Sequence, residues 1–128
     1  METQLVMCDT NIFINWFNGD KQTIEKLTNI GIENIVISSI VRMELLLGCD
    51  NKDELFAMKK KIRKYPIIHI NEMISKRANE YIETFYLSNT LKIPDAIIGA
   101  TATTYDLQLF TYNLKDFKFL PNIRLYKF

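Results

Sequence analysis

The chain has 128 residues, of which 48% are hydrophobic and 24% charged, which allows one domain with a substantial core and excludes a second. The formal net charge of +1 gives no global electrostatic argument for a nucleic-acid partner, and no apolar run approaches the roughly 20 residues that span a bilayer. We therefore expect a single domain over residues 1–128 without membrane contact, and the lack of a secretory signal predicts a cytoplasmic protein.

The first predicted element is a buried strand that ends in an acid. Residues 5–8 form an unbroken apolar run, and Asp9 follows immediately. Such a run is typical of a strand covered on both faces, whose carboxyl end delivers the next side chain to a site rather than to bulk water. Thr10 and Asn11 can cap a short helix over residues 12–17, which leaves Asp9 as the first functional candidate.

The middle of the chain alternates helices and strands. Helices are predicted over residues 23–30, 40–47 and 50–64, and strands over residues 35–37 and 67–70. Ser38 and Ser39 offer an N-cap for the helix that contains Glu44, an acid among apolar neighbours that points either to a solvated edge or into a cleft. His69, alone in a predicted strand, is expected to be a packing residue.

The last third of the chain supplies two more candidate acids. Asn71 can cap a helix that we expect to loosen at residues 88–90, and Asp95 lies in the first turn of a small, apolar helix. A fourth strand is predicted over residues 109–112, followed by a polar turn with Asp116, and a last strand over residues 123–126.

This element order predicts an α/β fold, a three-layer α/β/α sandwich with a mostly parallel sheet of four to five strands. The first and fourth strands are expected to be neighbours at the switch point, which brings Asp9 beside Thr111, Asn113 and Asp116. The helix starts after the second strand and before the fourth add Glu44 and Asp95.

The convergence of four carboxylates predicts metal-dependent chemistry. Clustered carboxylates repel one another and raise each other's pKa, so the cluster requires a cation. Oxygen-only donors favour Mg²⁺ or Mn²⁺ over Zn²⁺, and a water activated by such an ion attacks phosphodiesters. Each acid alone has an ordinary structural role, as a helix cap, a first-turn acid, a surface residue or a turn residue. Their convergence carries the prediction of metal-assisted phosphodiester hydrolysis.

The same residues resemble the motifs of PIN-domain ribonucleases, particularly VapC-type toxins of toxin–antitoxin systems. The matching pieces are Asp9, Thr10 and Asn11, then Ser38, Ser39, Ile40, Met43, Glu44 and Gly48, then residues 94–102, and finally Thr111, Asn113, Asp116 and Phe117. They cover nearly the whole chain. The resemblance implies a PIN-like fold, an Mg²⁺-dependent endoribonuclease with Mn²⁺ as a substitute, an RNA substrate, a cognate antitoxin and a homodimer.

Roles for individual residues follow from this resemblance. It implies that Asp9 and Asp95 are the principal metal ligands. It also implies that Glu44 completes the acidic cluster, as a ligand of a second metal or through water, and helps to activate the nucleophile. The residues that it places around the same pocket are Thr10, Asn11, Thr111 and Asn113. Some relatives carry an acid where Asn113 stands, so the fourth catalytic carboxylate is assigned to Asp116.

Three other functions fit parts of the pattern. A haloacid-dehalogenase-like phosphatase would use Asp9 as its nucleophile, but that family has a second acid where Asn11 stands. A receiver-type phosphoacceptor requires an acid adjacent to Asp9 and a late-strand lysine, neither of which is found. A PIN-fold interaction module without catalysis requires a broken acidic cluster, and this cluster is intact.

Basic and aromatic side chains give further candidates. Lys59, Lys60, Lys61, Arg63 and Lys64 can grip an RNA backbone, although a solvated helix face is the simpler interpretation. The large aromatics that can stack bases or form an antitoxin groove, but that mostly belong in a core, are Trp16, Phe17 and Phe56. The first three predicted helices carry more apolar side chains than one sheet face covers, with Trp16 and Phe17 the largest, so we expect some of this surface to remain as an exposed patch.

Overall fold

The centre of the molecule is a parallel β-sheet. The computed structural model describes residues 4–128. The strands within this range are β1 (Val6–Cys8), β2 (Ile35–Ser38), β3 (Ile67–Ile68), β4 (Gln108–Phe110) and β5 (Arg124–Leu125). They form one sheet in the order β3-β2-β1-β4-β5, in which every neighbouring pair is parallel. All the carboxyl ends therefore meet at one edge.

Helices connect the strands and cover the sheet. In the same range these helices are α1 (Thr10–Phe17), α2 (Lys21–Ile30), α3 (Ser39–Leu47), α4 (Lys52–Ile62), α5 (Glu72–Asn89) and α6 (Ile93–Thr104). Every residue of β1 and β2 is buried, as expected for strands with helices on both faces. The predicted three-layer α/β/α sandwich is confirmed. No helix within residues 4–128 has the length and apolar character that crossing a membrane requires.

The pairing of β1 with β4 fixes what meets at the carboxyl edge. Cys8 pairs with Phe110 in the parallel register, and the Asp9 N–H donates to the Phe110 carbonyl at 2.9 Å. The residues that follow the two strands, Asp9 and Thr111, therefore lie next to each other. The predicted neighbourhood of the first and fourth strands is confirmed.

The starts of two helices place two of the candidate acids. The Ser38 hydroxyl accepts a hydrogen bond from the Val41 N–H at 3.3 Å and starts α3, the helix that carries Glu44. Pro94 lies in the first turn of α6 immediately before Asp95. Both starts agree with the sequence signals.

Several local expectations were wrong. The predicted loosening at residues 88–90 is absent from α5, which continues to Asn89 and ends because Thr90 adopts the left-handed conformation with φ 54. His69 is exposed rather than packed, because β3 ends at Ile68. Trp16 and Phe17, in contrast, are partly buried against the core, which agrees with the interpretation of the large aromatics as mostly core residues.

Candidate active site

Asp9 lies at the carboxyl end of the central strand β1 and is only 6% exposed. Its Oδ1 accepts a hydrogen bond from the Thr10 N–H at 2.8 Å, and its Oδ2 accepts one from the Thr111 hydroxyl at 2.8 Å. The expectation that Thr10 or Asn11 caps the first helix was wrong, because α1 begins at Thr10 and Asp9 itself occupies the N-cap position. One carboxylate thus caps α1 and also belongs to the acidic cluster.

Thr10 joins two of the acids. Its N–H donates to Asp9, while its hydroxyl donates to Glu44 Oε1 at 2.7 Å. Glu44 is partly buried in α3 and turns toward α1. Of the two orientations that the sequence left open for Glu44, the structure shows the one that points into the cluster.

Asp95 and Asp116 complete the cluster, and electrostatics shows how near the four acids are. The pKa of Asp95 is raised to about 6, first by burial and then by the charges of Asp116, Asp9 and Glu44, while Lys92 opposes the rise. Burial also raises the pKa of Asp9; the hydrogen bonds from Thr111 and Thr10 oppose it, and the charges of Glu44 and Asp116 add to it. The charges of the four carboxylates therefore act on one another at the carboxyl edge of the sheet.

The four predicted pocket residues have different surroundings. Thr111 is buried, and its hydroxyl oxygen accepts the Asn113 N–H at 3.0 Å while its hydrogen is donated to Asp9. Asn113 is exposed and meets the cluster through this backbone group. Asn11 places a buried Oδ1 without a hydrogen-bond partner among the described residues. Thr10 is the bridge described above.

The sequence matches a known domain family over most of its length. The family model of the PIN domain matches residues 6–120. The chain belongs to the PIN domain family. Among curated proteins, none matches the sequence.

Several solved structures are similar to this chain over nearly its whole length. A chain of a toxin–antitoxin complex from Klebsiella pneumoniae is 31% identical, with a TM-score of 0.78 over 96% of this chain and 99% of that chain. A chain of VapBC2 from Rickettsia felis, bound to a DNA fragment from its promoter, is 27% identical, with a TM-score of 0.79 over 96% and 98%. A chain of DNA-bound VapBC from Salmonella typhimurium has a TM-score of 0.81 over 96% and 97%, and at 22% identity it shows the fold alone.

The donor set of this PIN domain fits a hydrated hard cation. All the candidate donors are oxygens, and among residues 4–128 no lysine or arginine forms a salt bridge with any of the four carboxylates. Within the same residues, no three His, Cys, Asp or Glu side chains stand close enough to enclose an ion by themselves. Mg²⁺ suits such a site, because it keeps several waters and binds through one or two carboxylates.

Two contributions to the site were missed in the sequence. The sequence predicts Thr10 as a pocket residue but not as the bridge between Asp9 and Glu44. The feature that could have indicated this bridge is the position of Thr10 in the first turn of a helix that directly follows an acid. Lys92 was not among the predicted site residues. It lies three residues before Asp95 and lowers the pKa of that carboxyl. Its positive charge partly offsets the repulsion within the cluster.

Burial of Asp95 and its repulsion by the other acids together predict how the stability of the metal-free PIN domain depends on pH. The folded pKa of Asp95, about 6, lies above its unfolded value near 3.9, so the folded state holds this proton more tightly. Stability should therefore fall as the pH rises from about 4 to about 6 and stay lower above that range. Asp95→Asn removes this charge, so it should weaken the fall and raise the Tm at neutral pH.

Thermal unfolding in EDTA across this pH range measures the effect. Asp50→Asn, which removes the charge of an exposed acid outside the cluster, serves as the matched control and should keep the wild-type profile. If Tm changes with pH in Asp95→Asn in the same way as in the wild type, the raised pKa of Asp95 would be contradicted.

Proposed function

We propose that this PIN domain is a metal-dependent endoribonuclease that hydrolyses RNA phosphodiester bonds and serves as the toxin of a VapBC-type toxin–antitoxin pair. The observation that carries the proposal is the gathering of four carboxylates around Asp9 at the carboxyl edge of the sheet. In a PIN domain, such a cluster is suited to hold a divalent cation against a phosphodiester. The relatives from toxin–antitoxin complexes support the biological setting.

The proposed division of labour follows from the contacts. Asp9 and Asp95 would hold Mg²⁺, or Mn²⁺ in its place, while Glu44 would reach the ion through a bound water and Asp116 would lie at the rim of the cluster. When bound, the ion would neutralise the phosphodiester charge and supply an activated water. The carboxylate of Glu44 would accept a proton from that water. The hydroxyls of Thr10 and Thr111 hold the carboxylates of Glu44 and Asp9 in fixed orientations.

The pocket residues complete this proposal. The buried Oδ1 of Asn11 supplies an acceptor for an internal water beside the pocket, since no other described residue uses it. Asn113 lies where its exposed side chain can contact the substrate, and its backbone N–H fixes the orientation of Thr111. We assign Asn113 to substrate binding and Asn11 to the wall of the pocket.

The first test is the loss of cleavage on removal of an acid or the metal. Asp9→Asn and Asp95→Asn should each lower the rate of RNA cleavage by about a hundredfold or more, because each removes a ligand charge. EDTA should stop the wild type, and Mg²⁺ or Mn²⁺ should restore it. Asp50→Asn controls for the loss of one negative charge. Undiminished cleavage by purified Asp95→Asn would rule out the mechanism, and a phosphorylated Asp9 would favour a phosphatase.

The second test concerns Thr111 as a positioning residue. Thr111→Val removes the donor to Asp9 Oδ2 with little change in volume, so the Mg²⁺ concentration for half-maximal cleavage should rise about 10- to 100-fold. Thr111→Ser keeps the hydroxyl and should stay near the wild type. An unchanged Mg²⁺ requirement in Thr111→Val would show that this hydrogen bond does not organise the metal site.

The partner proposal rests on an exposed groove between α1 and α4. Ile14, Phe17, Met58 and the stem of Lys61 are among its lining residues, and its volume is about 320 Å³. Ile14 is 45% exposed although it is a large apolar residue. An amphipathic helix of a cognate antitoxin fits such a groove by placing its apolar face against these side chains.

A homodimer is the other proposed assembly. The cavity between α5 and α6 has a volume of about 290 Å³, and its lining is largely apolar, with Ile82, Ile93 and Ile97 among the residues. Met73, Leu87 and Ile93 on these two helices are strongly exposed. A second copy that packs on this face would cover them.

Both assemblies are tested by light scattering on the chain with and without the partner encoded by its neighbouring reading frame. Ile14→Glu places a charge in the groove and should weaken partner binding by about tenfold or more, and cleavage should then escape inhibition. The matched control is Ile32→Glu, because Ile32 is the same residue type and is 46% exposed outside the groove. A strictly monomeric chain that the partner neither binds nor inhibits would remove the toxin–antitoxin proposal and leave the nuclease proposal standing.

A further inference from the structure

A second surface of the chain, separate from the acidic cluster, is strongly basic. A cleft of about 260 Å³ is lined by Arg42 from α3, by Phe56, Lys59 and Lys60 from α4, and by Arg63, the C-cap residue of α4. No acid contributes to this lining. We refer to these five residues as the basic cleft.

Helix geometry divides the basic run of α4 between two sides. Phe56, Lys59, Lys60 and Arg63 follow the spacing i, i+3, i+4 and i+7, which places them on one face. The remaining two lysines turn toward α1, where Lys61 Nζ lies 5.2 Å from the ring centre of Phe17 and Lys64 Nζ lies 5.9 Å from that of Trp16. The charge run is therefore two surfaces with different neighbours.

The cations of the basic cleft lack acidic partners. Among the described residues, none of Arg42, Lys59, Lys60 and Arg63 forms a salt bridge, and no acid lies three or four residues before the cleft lysines or Arg63 in α4. Favourable interaction with the helix dipole accounts for cations in the last turn of α4. It does not account for Arg42, which comes from another helix, and the cleft therefore keeps a net attraction for anions.

An exposed aromatic ring lies within this positive surface. Phe56 is 65% exposed, and Lys60 Nζ is 5.4 Å from its ring centre. Cations that contact phosphates, together with an aromatic ring on which a base can stack, form the surface that binds single-stranded nucleic acid. Base-paired RNA keeps its bases stacked within the helix and does not offer their faces to Phe56.

We infer that the basic cleft binds an unpaired segment of the RNA substrate outside the acidic cluster, an inference that rests on the proposed ribonuclease function. Arg42 and Glu44 are two residues apart in α3 and so point about 200° apart around the helix. The cleft and the cluster thus lie on two sides of one helix about 10 Å wide, so a strand that passes around half of its circumference covers about 16 Å. At about 3.4 Å per nucleotide, about five nucleotides of a single strand span that path, so the cleft holds RNA close to the reacting bond.

The test measures binding without cleavage, using fluorescence anisotropy of a labelled single-stranded oligoribonucleotide in EDTA. Lys60→Gln with Arg63→Gln should raise the Kd about tenfold or more at about 50 mM salt and lower the slope of log K against log salt by about 1.4. Lys61→Gln with Lys64→Gln removes the same charge from the other side of the same helix and should have a much smaller effect. Phe56→Leu should raise the Kd about tenfold for single strands and leave the Kd for duplex RNA unchanged.

Each outcome decides the matter. Equal weakening by the two double variants would show a general effect of charge and overturn the inference, as would an unchanged Kd in the Lys60 and Arg63 variant. Unchanged single-strand binding by Phe56→Leu would overturn it too. So would a Lys60 and Arg63 variant that loses binding of a protein partner while it keeps its binding of RNA. A wild type that binds RNA in this way but never cleaves it with Mg²⁺ would instead refute the proposed nuclease function and leave the cleft in place.

Discussion

The hydrogen bond between Thr111 and Asp9 is the interaction on which the arrangement of the site depends. Burial disfavours the charged form of a carboxylate, and neighbouring acids add repulsion, so Asp9 requires compensating donors. The register of Cys8 with Phe110 brings the Thr111 hydroxyl to one oxygen, and the start of α1 brings the Thr10 N–H to the other. The sheet and the first helix are thus joined at a single charged group.

Three surfaces divide the functions that we propose for this PIN domain: the acidic cluster, the basic cleft and the apolar groove between α1 and α4. The acidic cluster gathers at the carboxyl edge of the sheet, where the strands end and helices begin. The basic cleft and the apolar groove lie on opposite sides of α4. This separation explains how a chain with a net charge of only +1 can present both a site for a cation and a surface for a polyanion.

Much of the fold could be predicted from the sequence, as could the position of Asp9 beside Thr111. Buried parallel strands are short apolar runs, and their carboxyl ends are therefore easily located. The bond from Thr10 to Glu44 could not be predicted, since it joins residues 34 positions apart and depends on how α1 and α3 pack. The position of Phe56 was equally hidden. Periodicity places it on α4, but only the packed structure shows that this part of the helix faces solvent while Trp16 packs against the core.

The first helix has a mechanical consequence. α1 has eight residues and is therefore about 12 Å long, a stiff rod of about two turns. Thr10 at one end holds Asp9 and Glu44 together, while Ile14 and Phe17 toward the other end line the apolar groove. A partner helix in the groove, as proposed above, would press on the same helix that spaces the two acids. This helix thus connects the proposed antitoxin groove with the acidic cluster.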